Sequence, residues 1–413
     1  MKSHRAYVIA LFCVLLTPLA RASGTDIRFE NFGNDVVLLS EGRDEYRIRG
    51  SQQHVLLTNR IVIGAQPAFD ADAFLNLKNP HLKSLKPIFK GRARIWLAEV
   101  SSTEQVPIWM ERFRDNKHVL LVQPDIMLVP RPDIEQVATT QANFRSLEED
   151  DRRDATTPYR VRALPYYWQR TRGEGVTIAV IDDGFDMQHP QLQHVRRRFE
   201  FDTELRRMGA VPMTPDDNQG THVAGILFAR QDQRAPEGIA PEAAMIGIRR
   251  PGNWTSDTVL AFHLAALAGA DVINCSWKSP MLMEPVAQVI EELAKYGRNG
   301  RGLPIVFAAG DRGQLIHAMS SEPALAEVIV AAAYNQSYQR LDTSDYGPSV
   351  DFHALGQGLV STARNNDYRA FEGSGLAAAI VTGVIALIMS TDTNISLAEI
   401  HDRLREVMPD PKR

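Results

Sequence analysis

The sequence predicts an open α/β fold, doubly wound around a mostly parallel sheet with helices on both faces, over residues 158–413, and a small α+β module before it at 51–130. Three observations lead there. The apolar runs VTIAVID (176–182), AMIGI (244–248), DVINCSW (271–277), PIVFAAG (304–310) and VIVAAA (328–333) lack the polar alternation of a half-exposed strand, so both of their faces are buried. Stretches of helical character, THVAGILFA, SDTVLAFHLAALAGA and EPVAQVIEELAKYG, alternate with them. Most of the strand runs end in Gly or polar residues, and in open α/β sheets the functional crevice lies at the carboxyl ends of the strands.

Taken in order, residues 1–22 read as an export signal: Lys2 and Arg5 precede the run AYVIALFCVLLTPLA, which ends in the small-x-small pattern Ala20-Arg21-Ala22. The run is short for a membrane span of about 20 residues and contains Pro18. The expectation is therefore an exported protein, periplasmic or secreted, with no integral membrane segment in the mature chain. Cys13 would leave with the signal, and Cys275 alone forms no internal disulfide. Segment 23–50 holds short β-like pieces such as VVLLS and no motif, so its role is open. Within 51–130, RIVIG (60–64), ARIWLAEV (93–100) and HVLLVQPDIML (118–128) are strand-like, and helix-compatible stretches around 69–77 and 106–116 separate them. Residues 131–157 are polar, charged and Pro-flanked, as an exposed linker would be. Near the end, Ser396-Leu397-Ala398-Glu399 has capping-box spacing ahead of a helical stretch.

Composition narrows the function classes. With 44% hydrophobic and 23% charged residues, fibrous, disordered and polytopic classes do not fit. A formal net charge of −4 gives no reason to expect nucleic acid as a partner, and Arg196-Arg197-Arg198 reads as solvated surface. His189, His263, His317 and His353 show no paired metal-ligand spacing, so no metal or cofactor is expected.

At the strand ends the sequence resembles the subtilisin-like serine proteases across most of 159–400. VTIAVIDDGFDMQHPQL is similar to that family's Asp block, QGTHVAGI to its His block, DVINCSWKSP to its substrate-binding segment, PIVFAAGDRG to its oxyanion block and GSGLAAAIVTGVIALI to its Ser block. GIAPEAAMIGIR and TSDYGPSVDFHALGQGLVST fall between them in the family's order. The resemblance implies a triad acid at Asp182, a base at the first position of H-G-T-H-V-A-G, a nucleophile at the third position of G-T-S-x-A-x-P, and an oxyanion Asn. Only the acid is present. The base position holds Gln219, which has no proton to exchange near pH 7. The nucleophile position holds Gly375, with Ser374 at the family's Thr, and the oxyanion position holds Asp311. His222 matches the second, non-catalytic His of its block, for which packing or hydrogen bonding is expected. Ser276, Trp277 and Lys278 stand where the family offers a strand edge to peptide, with Trp277 and Lys278 adding bulk beside it. The 51–130 module resembles the family's propeptide.

These residues imply an exported pseudoprotease lacking nucleophile and base, which acts by binding a peptide, a client protein or a partner protease. Two alternatives stay open. One is a serine endopeptidase with its site relocated to Ser374, against which a one-residue shift on a helix turns a side chain by about 100 degrees. The other is an inhibitor or chaperone of an active subtilase, acting in trans through the 51–130 module.

Overall fold

The computed structural model describes residues 25–129 and 159–408, apart from positions 233 and 319. The export signal and the linker fall outside the described residues. The first part of the chain forms β1 (Ile27–Asn31), β2 (Asn34–Ser40), β3 (Glu45–Ile48), β4 (His54–Ala65), α1 (Ala71–Leu75), β5 (Leu82–Lys90), β6 (Arg94–Val100), α2 (Gln105–Arg114) and β7 (Val119–Leu128). From β4 onward this is a β-α-β-β-α-β unit in which β7 and β6 flank β4 and β5 lies outside β6, all antiparallel.

Two strand assignments go beyond the sequence reading. Segment 27–48 continues the same sheet as a meander, because β4 is long enough to pair β3 at Val55 and β6 from Arg60 onward. Its strands are too short for the alternation of Ile27, Phe29 and Asn31 to be decisive alone. Strand β5 escaped because LKSLKPIFK contains Pro87 and three lysines; at the sheet edge Pro is tolerated and lysines discourage further pairing.

The larger part runs α3 (Leu164–Trp168), β8 (Thr177–Asp182), β9 (Arg197–Asp202), β10 (Arg207–Met208), α4 (Gln219–Phe228), β11 (Ala244–Arg249), α5 (Thr255–Leu267), β12 (Val272–Cys275), α6 (Glu284–Gly300), β13 (Ile305–Ala308), β14 (Ile329–Tyr334), β15 (Phe352–Leu355), β16 (Leu359–Ala363), β17 (Asp367–Phe371), α7 (Ser374–Thr391) and α8 (Leu397–Val407). Its sheet has the order β10-β9-β11-β8-β12-β13-β14-β15, and every pairing except β10 with β9 is parallel. Arg197 and Arg198 are exposed at the start of β9, and the Arg198 guanidinium donates to Thr177 Oγ1 at 2.8 Å.

The strand runs are continuously apolar because each divides its side chains between two cores. Ile178 and Val180 pack with Val223 and Leu227 of α4 and Ile380 and Val384 of α7. Ala179 and Ile181 face the other way, toward Phe262 of α5 and Val286 and Ile290 of α6. Each large side chain buried in this way stabilises by roughly 1.5–3 kcal/mol. That second core is continuous with the N-terminal module, since Ile27, Ile61 and Trp109 belong to it. Helix α7 has the length and apolarity of a membrane span, but it lies inside the domain, buried from Ser374 to Met389.

Candidate functional site

Asp182 is the last residue of β8, in the middle of the sheet, where its backbone carbonyl accepts the Arg250 N–H at 2.7 Å. Its Oδ1 accepts the N–H of Asp183 at 2.9 Å, while the buried Oδ2 has no partner. Burial, followed by the charge of Asp183, pushes the Asp182 carboxyl well above the ordinary range. Asp183 sits on the start of α4, accepting from Gly220 N at 2.8 Å and Gln219 N at 3.0 Å. Burial outweighs those two bonds and raises its pKa to about 6.

Gln219 opens α4, and its amide Nε2 donates to the carbonyl of Ser276. Gln219, at the expected base position, therefore serves as a strut and leaves Asp182 Oδ2 without a partner. Ser276, just beyond β12, receives a bond from Asn274 Nδ2 at 2.9 Å and donates from Oγ to the Gly375 carbonyl at 3.0 Å. A Cβ on Gly375 would lie 3.2 Å from that same Ser276 carbonyl oxygen and 3.4 Å from Ser276 Cβ. The base and nucleophile positions thus converge on one carbonyl. A small side chain at 375 requires a shift of only a few tenths of an ångström.

Next to it, Ser374 is built into the structure. Its N–H donates to Asp311 Oδ1 at 2.7 Å, its hydroxyl donates to Asp311 Oδ2 at 3.1 Å, and Ser374 Oγ accepts the Gly310 N–H at 3.0 Å. Ser374 is 0% exposed. Asp311 caps α7 from outside, replacing the N-cap residue Gly373, which has no side chain and holds φ at 95°. A Cβ at 373 would lie 3.0 Å from both Asp311 oxygens, so any other residue there would press on the cap as well as strain the backbone. Burial is the main cause raising the Asp311 pKa, and the Ser374 bonds oppose it.

The peptide-edge residues differ from one another. Trp277 does not stand in the groove, as its bulk suggested; it turns inward, with Nε1 donating to Ile181 O at 2.6 Å and its ring edge-on to Phe307 at 5.3 Å. The Arg250 guanidinium covers the indole at 3.6 Å from the ring centre. Lys278 is partly buried. Its ammonium pairs with the buried Asp345, whose Oδ1 also accepts from Arg312 N at 3.0 Å and Gln314 N at 2.9 Å. The Lys278 stem lies across Gly310, where a Cβ would collide with its Cε.

His222 is not part of the constellation. Its Nδ1 donates to Thr362 O at 2.7 Å, its ring stacks on Phe371, and burial lowers its pKa to about 4, so it is neutral. Among the described residues no cluster of His, Cys, Asp and Glu suits a metal ion. Sequence reasoning missed Asp183, Arg250 and Asp345. The doubled acid after β8 and the doubled Arg after β11 were the available signals, whereas nothing local marks Asp345.

Parallel α/β topology with an acid at the end of a central strand, and helix starts facing it from α4 and α7, defines the subtilisin type of architecture. The chain belongs to the subtilase family: residues 173–408 match Peptidase_S8, the Subtilase family. It is 35% identical over 238 residues to the Thermophilic serine proteinase of Bacillus sp. (strain AK1), a match covering 55% of this chain and 56% of that protein. It is 30% identical over 235 residues to the Intracellular serine protease of Paenibacillus polymyxa, covering 54% of this chain and 69% of the relative. The chain thus spans little more than half the length of the first of these. A solved structure of a protease from Pseudoalteromonas arctica shares the fold, with a TM-score of 0.51 at 23% identity over 60% of this chain and 87% of that one.

Proposed function

We propose that this chain is an exported subtilase homologue that binds polypeptide without cutting it. The observation carrying this reading is the absence of a side chain at Gly375, in the first turn of α7 beside Ser276, combined with Gln219 in the base position. A serine-protease triad needs a nucleophile within hydrogen-bond reach of a base that an acid orients. Here the acid alone remains, buried with one carboxylate oxygen unpaired. In this reading the segment Ser276-Trp277-Lys278 is the edge that meets an extended peptide, a client protein or a partner protease. Lys278 restricts what side chain fits beside Gly310. Export rests on the charge and apolarity of residues 1–22. The purified protein is expected to leave casein and chromogenic peptides intact; cleavage abolished by an irreversible serine-protease inhibitor would overturn the reading.

One observation favours a hydrolase based on Ser374: its Oγ lies 3.1 Å from the Asp311 carboxylate. Burial argues against it. The hydroxyl oxygen has no exposure and already accepts the Gly310 N–H, so it is held in place as part of a helix cap. If activity is found, Ser374→Ala separates the readings: unchanged activity excludes this serine, and loss of activity with the fold retained supports it.

A further inference from the structure

We infer that the loop around β10, residues 203–217, is a docking surface for an extended polypeptide segment that carries both apolar and acidic side chains. Leu205, Met208, Val211 and Met213 are between 42% and 65% exposed, and no other stretch of this length among the described residues leaves as many large apolar side chains in water. An exposed apolar cluster of this kind marks an interaction site when the structure holds it in place. A loop free to rearrange would turn such side chains inward, because burial of apolar surface is favourable. This loop is held.

One buried guanidinium ties both feet of the loop together. Arg249, at the end of β11, donates from Nη1 to Asp202 Oδ2 at 3.0 Å and Glu204 Oε2 at 3.2 Å, and from Nη2 to Asp217 Oδ2 at 3.2 Å. Asp202 and Glu204 stand where the chain enters the loop, and Asp217 where it leaves. The Arg249 carbonyl accepts from Thr203 N and Thr203 Oγ1, each at 3.0 Å. Asp217 also accepts the N–H groups of Met213 at 2.9 Å and Thr214 at 3.1 Å, and Ala210 O accepts the Phe185 N–H at 2.8 Å. Breaking a buried ion pair is costly, so this clamp fixes where the apolar side chains stand.

Backbone and charge select the occupant. Strand β10 is outermost in its sheet, and Gly209 N donates inward to Glu200 O at 3.0 Å. In an antiparallel ladder the neighbouring residue faces the other way, so Met208 turns its N–H and C=O outward, toward the side where a further strand adds. Asp202, Glu204 and Asp217 are taken up by Arg249, while Arg207 is exposed and has no ion pair among the described residues. Asp216 is the one acid of the loop left over, beyond Met213 at its far end. An apolar centre with an arginine at its rim complements an apolar segment bearing carboxylates, and methionines adapt to varied apolar partners. A second copy fits worse, because joining two β10 edges would gather Arg207 of both chains in one interface. The loop lies outside the Ser276-Trp277-Lys278 edge, so the inference does not depend on what that edge binds.

The test uses the full chain and two short fluorescein-labelled peptides, one alternating Val or Leu with Glu and one with Lys in place of Glu, followed by fluorescence anisotropy. Saturable binding of the Glu peptide is expected, at least about 10-fold tighter than that of the Lys peptide. Leu205→Ser combined with Met208→Ser is expected to weaken it by about 10-fold or more, and Arg207→Glu to reverse the preference between the peptides. All three side chains are exposed, so circular dichroism is expected to be unchanged in these variants. The inference is overturned if neither peptide binds, if the Glu peptide has no advantage, or if the substitutions leave its affinity unchanged. Dimerisation, or association with phosphatidylglycerol vesicles, that the Leu205 and Met208 substitutions abolish in the absence of peptide binding assigns the loop to another occupant and overturns it as well.

Discussion

The end of β8 and the start of α7 treat their polar groups in opposite ways. At the end of β8, Asp182 is buried with one carboxylate oxygen unpaired. At the start of α7, Ser374 has its N–H and hydroxyl both bonded to Asp311, with a further bond from Gly310. A group arranged to orient a histidine is left without its partner when the histidine is absent. A group that caps a helix keeps its partners, because the helix needs them. Under the proposed function, the difference separates chemistry no longer used from structure that is still in use.

The largest expected effect breaks the comparison at its source. Combining Gly375→Ser with Gln219→His gives Asp182 an imidazole to orient and places a hydroxyl beside Ser276. Inhibitor-sensitive peptide hydrolysis is expected to rise by at least about 10³-fold over the parent, a fraction of the roughly 10⁶ that loss of nucleophile or base costs in subtilisin. If the double variant folds and stays inert, the vacated positions are not in triad geometry.

Next is Asp311→Ala, which removes the acceptor for two buried donors and uncaps α7. Chemical denaturation is expected to show a loss of about 2–3 kcal/mol. A change under about 0.5 kcal/mol, the size expected for surface substitutions, would mean that α7 does not depend on this cap.

Asp182→Asn is expected to act in the other direction. The folded carboxyl has its pKa raised above the 3.8 of the unfolded chain, so its stabilising contribution is full below about 3.8 and is lost as pH rises through the raised value. Asp183 repeats this pattern with a folded pKa of about 6. Removing the Asp182 charge should therefore stabilise the protein by about 1 kcal/mol at about pH 7 and flatten its stability between about pH 4 and 7. Thermal melts across that range check both; a destabilised variant would mean that the Asp182 charge is compensated.

The smallest effect lies far from the cleft. Ser396 and Glu399 cap α8 reciprocally, with Ser396 N donating to the Glu399 carboxylate at 2.9 Å and Glu399 N to Ser396 Oγ at 3.3 Å. Ser396→Ala should cost about 0.5–1 kcal/mol in a denaturation curve and leave the other three effects unchanged.

What was legible in the sequence followed from local rules. Continuous apolar runs marked the central strands because residues buried on both faces leave no polar alternation, and Ser396-x-x-Glu399 marked the last helix start because a capping box is a local device. The segment of β1 to β3 read only as β-like pieces with no place in a sheet, and β5 was not legible, since short edge and meander strands take their form from pairing with β4 and β6.

The sequence by itself determined what two residues cannot do: Gly375 and Gln219 cannot supply a nucleophile or a base in any fold. Only the tertiary structure decided what the remaining polar residues do. It turned Trp277 inward beneath Arg250, paired Lys278 with Asp345, bound Ser374 to Asp311 and used Asn31 and Asp125 to cap helices far along the chain. The physical reason is that a side chain's reactivity is set by its residue type, whereas its partners and burial depend on contacts between residues distant in sequence.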